Sequence, residues 1–367
     1  MIPTETDIFR RLAKAGLKPP KTVTLAVTNR CNLRCRHCWP ESGPDLEATH
    51  VSKEQVSRLI DGFAALGAET LVITGGEPLT HPDWFELLSL ACARPGIREV
   101  RLQTNAILIT AAHVNALLTL KERGLIIQTS LEGATPQVHD RVRGAGSFHR
   151  TMQGLGLLAK EGMASRICIT FTEMRHNFED IPDLMRIADE MGIGRFTAGT
   201  LVSGGRAAQP GGLEPPVPAQ YEALLARYMG DKTFKERYHR IGNIAALEWF
   251  MAGGDAAGNC CTFIETPYVT AQGNLYPCVM LHADGFAATD AYDRPLAVSI
   301  AKKIESWSRL QRISRSRHTR IETCKECSAN WRCGAGCMGR AYSVHGDFFA
   351  VEDRCALRKA VYQHESS

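Results

Sequence analysis

The sequence predicts an α/β fold with a parallel sheet or partial barrel, followed by a smaller cysteine-rich domain. Three observations carry this. After Lys21, six strand-like segments alternate with helix-like ones. The chain holds 13 cysteines, and setting aside Cys92 and Cys168, three cluster early and eight late. The early cluster directly follows the first predicted strand. In parallel α/β folds that is the end where active sites form.

The predicted strands are 22–27, 70–74, 98–103, 125–131, 166–172 and 195–201. Predicted helices lie near 52–67, 82–94, 110–123, 147–162 and 178–191. From Gly204 to Pro218 the sequence turns glycine- and proline-rich, which reads as a linker. A helical bridge near 219–252 follows, ended by Gly253 and Gly254. The expected organisation is an N-terminal extension at 1–20, a first domain at 21–207, a linker and bridging helix at 208–258, and a cysteine-rich domain at 259–367.

Composition narrows the function classes. The chain has 367 residues, 44% hydrophobic and 22% charged, as a folded globular protein does. A net charge of +4 is too mild to imply nucleic acid. The stretch 302–320 is rich in Lys and Arg against Glu305, and reads as a solvated basic helix. No apolar run nears the roughly 20 residues that span a bilayer. The first twenty residues lack the apolar core of a secretory signal. A cytoplasmic location is therefore expected, and in a reducing compartment clustered cysteines bind metal more often than they pair as disulfides.

The early cluster is Cys31-Asn-Leu-Arg-Cys35-Arg-His-Cys38. Three thiolates are one short of the four that close a tetrahedral zinc site or an iron–sulfur cluster. A cluster so held keeps one iron open to a ligand. Zinc with His37 as fourth ligand is the alternative, although His37 sits directly beside Cys38. Cys92 and Cys168 read as small apolar core residues.

Other polar residues fall at the same ends of the predicted strands. Thr74-Gly75-Gly76-Glu77-Pro78 follows the second, Gln103-Thr104-Asn105 the third, Ser130-Leu131-Glu132-Gly133 the fourth, and Gly204-Gly205-Arg206 the sixth. Individually these are ordinary turns. Together they surround one three-cysteine loop with hydroxyl, carboxylate and guanidinium groups.

The late cysteines run Cys260, Cys261, Gly273-x4-Cys278, Cys324-x2-Cys327-x5-Cys333-x3-Cys337 and Cys355. Zinc ribbons also use C-x2-C pairs, so this segment alone fits zinc or iron–sulfur.

Over 21–207 the sequence resembles the radical S-adenosylmethionine (SAM) superfamily. The resemblance rests on C-x3-C-x2-C after strand one, G-G-E-P after strand two, and the run from Ser130 to Gly144. The late cysteines resemble the SPASM extension of such enzymes. The resemblance implies a partial (β/α)6 TIM-type barrel followed by a small SPASM domain. It implies a 4Fe–4S cluster on Cys31, Cys35 and Cys38 that chelates SAM and cleaves it reductively to a 5′-deoxyadenosyl radical, which abstracts hydrogen from substrate. Around SAM it implies Gly75, Gly76, Glu77, Pro78, Thr104, Asn105, Ser130, Glu132 and Arg143. Gly76 would let the backbone approach the ligand, Glu77 would accept from the methionine ammonium, and Ser130 and Arg143 would donate to its carboxylate, with Arg141 a competitor. Relatives more often have Asp where this chain has Glu132.

Carried over by position, two auxiliary 4Fe–4S clusters are implied, three in all. Cys324, Cys327, Cys333 and Cys355 would hold the distal one. Cys261, Cys278 and Cys337 would hold the proximal one, with Cys260 its fourth ligand, a bystander to an open three-cysteine site, or the ligand in place of Cys261.

The expected function is a radical SAM oxidoreductase or maturase acting on a ribosomally made peptide or protein side chain. A tetrapyrrole side chain is the alternative substrate. An iron–sulfur electron carrier is the non-enzyme alternative, which the SAM-site residues oppose. Sulfatase maturases place an Asp base directly after the G-x4-C cysteine, where this chain has Val279. Only 30 residues precede Cys31, so leader recognition is expected from a separate leader-binding protein or other surfaces. An electron donor such as flavodoxin or ferredoxin is the other expected partner, with no nucleic acid and no membrane.

Overall fold

The computed structural model describes residues 3–209, 211–252 and 263–364. Six parallel strands occur in sequence order: β1 (Thr22–Thr28), β2 (Thr70–Gly75), β3 (Glu99–Gln103), β4 (Leu125–Ser130), β5 (Ile167–Glu173) and β6 (Arg195–Thr200). Each pairs in parallel with the next. The apolar residues of β1, Val23, Leu25, Ala26 and Val27, are all buried, as expected of a strand covered on both faces. Helices return the chain between strands. The first, Lys53–Ala65, opens on a capping box in which Ser52 and Gln55 satisfy each other's backbone N–H. This is the barrel-type α/β architecture expected from the alternation.

The sheet extends beyond six strands at both edges. β7 (Gly242–Ile244) pairs in parallel with β6. The segment expected as a linker and one bridging helix therefore folds as helices Pro218–Gly230, Lys232–Ile241 and Ala245–Met251 around a further strand. A three-residue strand carries no periodicity that a sequence reading can detect. Gly253 and Gly254 lie outside the described residues.

At the other edge, β8 (Tyr268–Val269) pairs in parallel with β1, and β9 (Leu275–Tyr276) pairs antiparallel with β8. The cysteine-rich segment thus adds strands to the first domain's sheet. Tyr268, in the first of these strands, lines the same cavity as Cys31, Cys35 and Cys38.

Two further differences concern the termini of these regions. The N-terminal extension forms a helix, Glu5–Lys14, with Thr4 and Asp7 as a capping box. It docks on the long helix Leu296–Arg320, where Arg11 donates to the Ala301 carbonyl at 2.9 Å and Ser308 to that of Ala15 at 2.7 Å. The long helix is the predicted basic one, but it is not solvated all round. Arg317 is fully buried and donates to four carbonyls, of Phe348, Ala335, Gly336 and Ala350, at 2.7 to 3.0 Å. One guanidinium thereby fixes two loops of the cysteine-rich region.

Candidate active site at the strand ends

The chain leaves β1 and turns through Cys31, Cys35 and Cys38. This loop is tied down from outside. Arg206 donates from Nε to the Cys35 carbonyl at 2.7 Å and from Nη2 to that of Ser42 at 2.9 Å. Asn105 donates from Nδ2 to Asn32 Oδ1 at 2.7 Å. The three cysteines line one cavity of about 340 Å³ together with Gly75, Gly76, Glu77, Thr104, Asn105, Ser130 and Arg143. A cavity of this size falls within the range of small-molecule sites. Burial pushes the Cys31 thiol up to about 12 and raises that of Cys35. A thiolate there requires a cationic partner, and three thiols with no fourth suit a cluster that keeps an open position.

Of the remaining sequence candidates, Pro78 opens the 3-10 turn Pro78–Thr80 and does not line the cavity. Glu132 stands behind Arg143. Arg141 is exposed, whereas Arg143 lines the cavity.

The glycines are required by the protein itself. A Cβ on Gly75 would lie 2.1 Å from the Thr28 carbonyl oxygen, and one on Gly76 would lie 2.1 Å from that of Arg30. Gly75 also has φ +137. The turn after β2 passes against the start of the cysteine loop, and no side chain fits between them. The expectation that Gly76 serves close approach of a ligand gains a second cause, backbone against backbone.

Glu77 is equally tied into the scaffold. Its carboxylate accepts from the Thr104 hydroxyl at 2.7 Å, the Asn105 N–H at 2.7 Å and the Leu79 N–H at 3.1 Å. It latches the turn after β2 to the turn after β3. Burial raises its pKa while these donors oppose the rise.

Glu132 is fully buried. Its Oε1 accepts from Arg143 Nη2 at 2.7 Å and lies 3.2 Å from His37 Nε2, and its Oε2 accepts the Thr172 N–H at 2.8 Å. Burial raises its pKa, but Arg143 and His37 outweigh this and hold the carboxyl below its ordinary range. His37 thus engages Glu132 through Nε2, while its buried Nδ1 has no partner among the described residues. His139 accepts the Glu132 N–H at Nδ1, 3.1 Å away, and burial lowers its pKa to about 4. Arg143 spends Nε and Nη2 on Glu132, leaving Nη1 as a donor beside the cavity. Ser130 Oγ lies 3.0 Å from Thr170 Oγ1, and both residues line the cavity.

Several lining residues lie outside the sequence candidates for the SAM site, although Val279 stands at the position of the base in sulfatase maturases. Tyr268, Val279 and His282 come from the cysteine-rich region, and Trp39 follows Cys38. The His282 ring stacks on Tyr268 at 4.7 Å and on Tyr276 at 4.8 Å, and lies 5.0 Å from Trp39. These side chains make an aromatic wall. Their only sequence signal is the neighbouring Gly273-x4-Cys278 turn, because the pairing of β8 with β1 joins segments more than 200 residues apart.

Cys324, Cys327, Cys333 and Cys355 converge on one small cavity. Burial raises the pKa of Cys324, Cys333 and Cys355, and each feels neighbouring cysteines of the set. Cys278 and Cys337 stand on adjoining segments, since a Cβ on Gly339 would lie 2.5 Å from the Met280 carbonyl oxygen. Cys260 and Cys261 lie outside the described residues. Cys168 is buried and Cys92 packs against the core. Among the described residues, no group of three His, Cys, Asp or Glu side chains is arranged to hold a single metal ion, and no helix is long and apolar enough to cross a membrane.

The sequence profile of the radical SAM superfamily matches residues 25–201. The mycofactocin maturase MftC of Mycobacterium ulcerans is 30% identical over 335 residues, covering 89% of this chain and 85% of MftC. The chain belongs to the radical SAM superfamily. The AdoMet-dependent heme synthase of Nitratidesulfovibrio vulgaris is 28% identical over 367 residues, covering 95% of both chains. In fold, this radical SAM enzyme is similar to native anSMEcpe with bound AdoMet and Cp18Cys peptide, with a TM-score of 0.71 at 18% identity, covering 95% of this chain and 97% of that one. Membership implies a 4Fe–4S cluster and SAM as cofactors. The cavity's three cysteines and free guanidinium donor are of the right chemistry for both.

Proposed function

We propose that this chain is a radical SAM maturase that acts on a side chain of a ribosomally made peptide or protein. The observation that carries the reading is the single cavity shared by Cys31, Cys35, Cys38, Ser130 and Arg143. When bound there, a 4Fe–4S cluster with SAM supplies a radical that takes a hydrogen atom from the substrate.

The chain's own residues divide the remaining work. Cys31, Cys35 and Cys38 hold the cluster and leave one corner open. Arg143, kept charged and oriented by Glu132, presents Nη1 to the carboxylate of the methionine moiety, with Ser130 as a second donor. Glu77, with its three internal bonds, holds the adjoining turns in place and offers its remaining lone pairs to the ammonium. Trp39, Tyr268 and His282 close the opposite wall and exclude water. Cys324, Cys327, Cys333 and Cys355 hold a distal auxiliary cluster. Cys278 and Cys337, with Cys261 and in one arrangement Cys260, hold a proximal one.

A second reading, action on a tetrapyrrole side chain, is favoured by one observation: the heme synthase aligns with this chain from end to end. The two are separated by anaerobic incubation of the reconstituted enzyme with SAM, a reductant and either the peptides encoded beside its gene or iron coproporphyrin III. Mass spectrometry of the products follows. A mass change in a peptide supports the first reading. A mass change in the porphyrin, with peptides unchanged, replaces it with the second.

A further inference from the structure

The helix Leu296–Arg320 carries a stripe of exposed basic side chains for which the site described above has no use. Lys302, Arg309, Arg312, Arg315 and Arg320 are all exposed. At 3.6 residues per turn the five fall within an arc of about 140°, and Arg309, Arg312 and Arg315 are neighbours three residues apart. Glu305 is the sole acidic residue of the helix. Lys302 pairs with Asp290, but among the described residues Arg309, Arg312, Arg315 and Arg320 make no ion pair with an acidic side chain. Arg320 lies over the Phe349 ring at 4.1 Å, whereas Arg309, Arg312 and Arg315, three residues apart on one helix, repel one another, so the arrangement favours an anionic partner.

The stripe has a position as well as a sign. The helix ends at Arg320 and the chain turns directly into Glu322–Lys325, which contains Cys324. From the same helix, Arg317 points inward and holds the loops at 335–336 and 348–350. One face of the helix thus braces the four-cysteine cavity while another faces solvent. Cys324, Cys327, Cys333 and Cys355 are each partly exposed, so this cavity lies near the surface that the stripe borders.

We infer that this basic face is the docking surface for an acidic one-electron carrier protein, which delivers electrons to the enzyme beside the distal cysteine set. The inference rests on the radical SAM reading, whose chemistry consumes an electron that the chain must receive from outside. Complexes of electron carriers are small and short-lived, steered by opposite charge more than by apolar burial. A row of arginines with no exposed apolar residue between them suits such a partner. A nucleic acid is disfavoured because the helix places no stacking platform among its arginines: Trp307 is fully buried with its Nε1 bonded to the Phe286 carbonyl.

The test compares the reconstituted wild-type enzyme with the triple variant Arg309→Glu, Arg312→Glu, Arg315→Glu. SAM cleavage is driven in parallel by dithionite and by flavodoxin with its reductase and NADPH. Direct binding of flavodoxin is measured by calorimetry at low and high salt. The expected result is unchanged dithionite-driven cleavage, flavodoxin-driven cleavage lowered about tenfold or more, and wild-type binding that weakens steeply with salt. The corresponding triple Gln variant should fall between. Flavodoxin binding or flavodoxin-driven cleavage equal in variant and wild type overturns the inference. So does a variant that keeps flavodoxin affinity but loses affinity for a single-stranded RNA or an acidic peptide. Failure of wild-type cleavage with dithionite strikes the radical SAM reading instead, and the binding arm still decides the docking surface.

Discussion

Arg143 grips Glu132 through a single oxygen: Nε at 3.2 Å and Nη2 at 2.7 Å both donate to Oε1. The other oxygen takes the Thr172 N–H of β5. The pair therefore fastens the helix Pro136–Arg143 to the ends of β4 and β5, and aims the unused part of the guanidinium at the cavity. Removing the carboxylate should leave a buried cation unpaired. Glu132→Gln is expected to cost about 3–5 kcal/mol of stability in the apo protein, measured by urea denaturation. A loss well under 1 kcal/mol would show that the pair is not the fastener described.

The same pair predicts a pH dependence. Burial raises the Glu132 pKa, but Arg143 and His37 depress it further, so in the folded state it lies below its unfolded value of about 4.3. A depressed carboxyl contributes stability above the unfolded pKa and loses it as pH falls toward the folded one. The stability gap between wild type and Glu132→Gln should be constant near neutrality and shrink below about pH 4. A gap unchanged from pH 7 to 3 would contradict this.

The turn after β2 offers a separate test of cause. If Gly76 served only the approach of SAM, Gly76→Ala would leave the apo protein as stable as wild type. The 2.1 Å approach of a Cβ to the Arg30 carbonyl oxygen predicts otherwise. Apo Gly76→Ala should lose about 1–3 kcal/mol, as overpacked sites do. Gly75→Ala should lose at least as much, because its φ of +137 also disfavours a side chain. Thermal unfolding without cofactors measures both.

Arg317→Met should destabilise the cysteine-rich region, since four carbonyls lose their donor. A loss of about 3 kcal/mol or more is expected. Arg317→Lys should not restore it, because a point-like ammonium cannot span four acceptors. Full stability of the Lys variant would show that charge alone suffices.

Replacing Cys324 and Cys327 with Ala should remove about four irons from a reconstituted chain that otherwise holds about twelve. SAM cleavage without substrate should persist, because Cys31, Cys35, Cys38 and Arg143 line a different cavity. Loss of SAM cleavage together with loss of near-UV circular dichroism would make the distal set structural.

The sequence made the six strands legible because strand-like segments recur in alternation with helix-like ones. The same alternation placed the cysteine loop, the Gly75–Pro78 turn and Ser130 at one end. The short elements were not legible. β7 and β8 have three and two residues and exist through pairing with β6 and β1. The helix Pro136–Arg143 is too short and polar for its period to stand out, although Pro136 at its first turn is a start signal. Side-chain roles were legible by type and less so by partner. Glu77 reads as an acceptor, and the structure adds that three internal donors occupy it. Arg317 reads as one of seven solvated basic residues, but is buried because loops far along the chain fold over it. His282 and Tyr268 reach the cavity through contacts across most of the chain, which no local pattern records.

The most direct test of the account is SAM cleavage by anaerobically reconstituted enzyme with dithionite, for wild type and Cys35→Ala, read as 5′-deoxyadenosine by liquid chromatography. The account predicts slow but steady formation by wild type and none by Cys35→Ala. Wild-type protein that holds about twelve irons and forms no 5′-deoxyadenosine, or a Cys35→Ala variant that forms it at the wild-type rate, would contradict it.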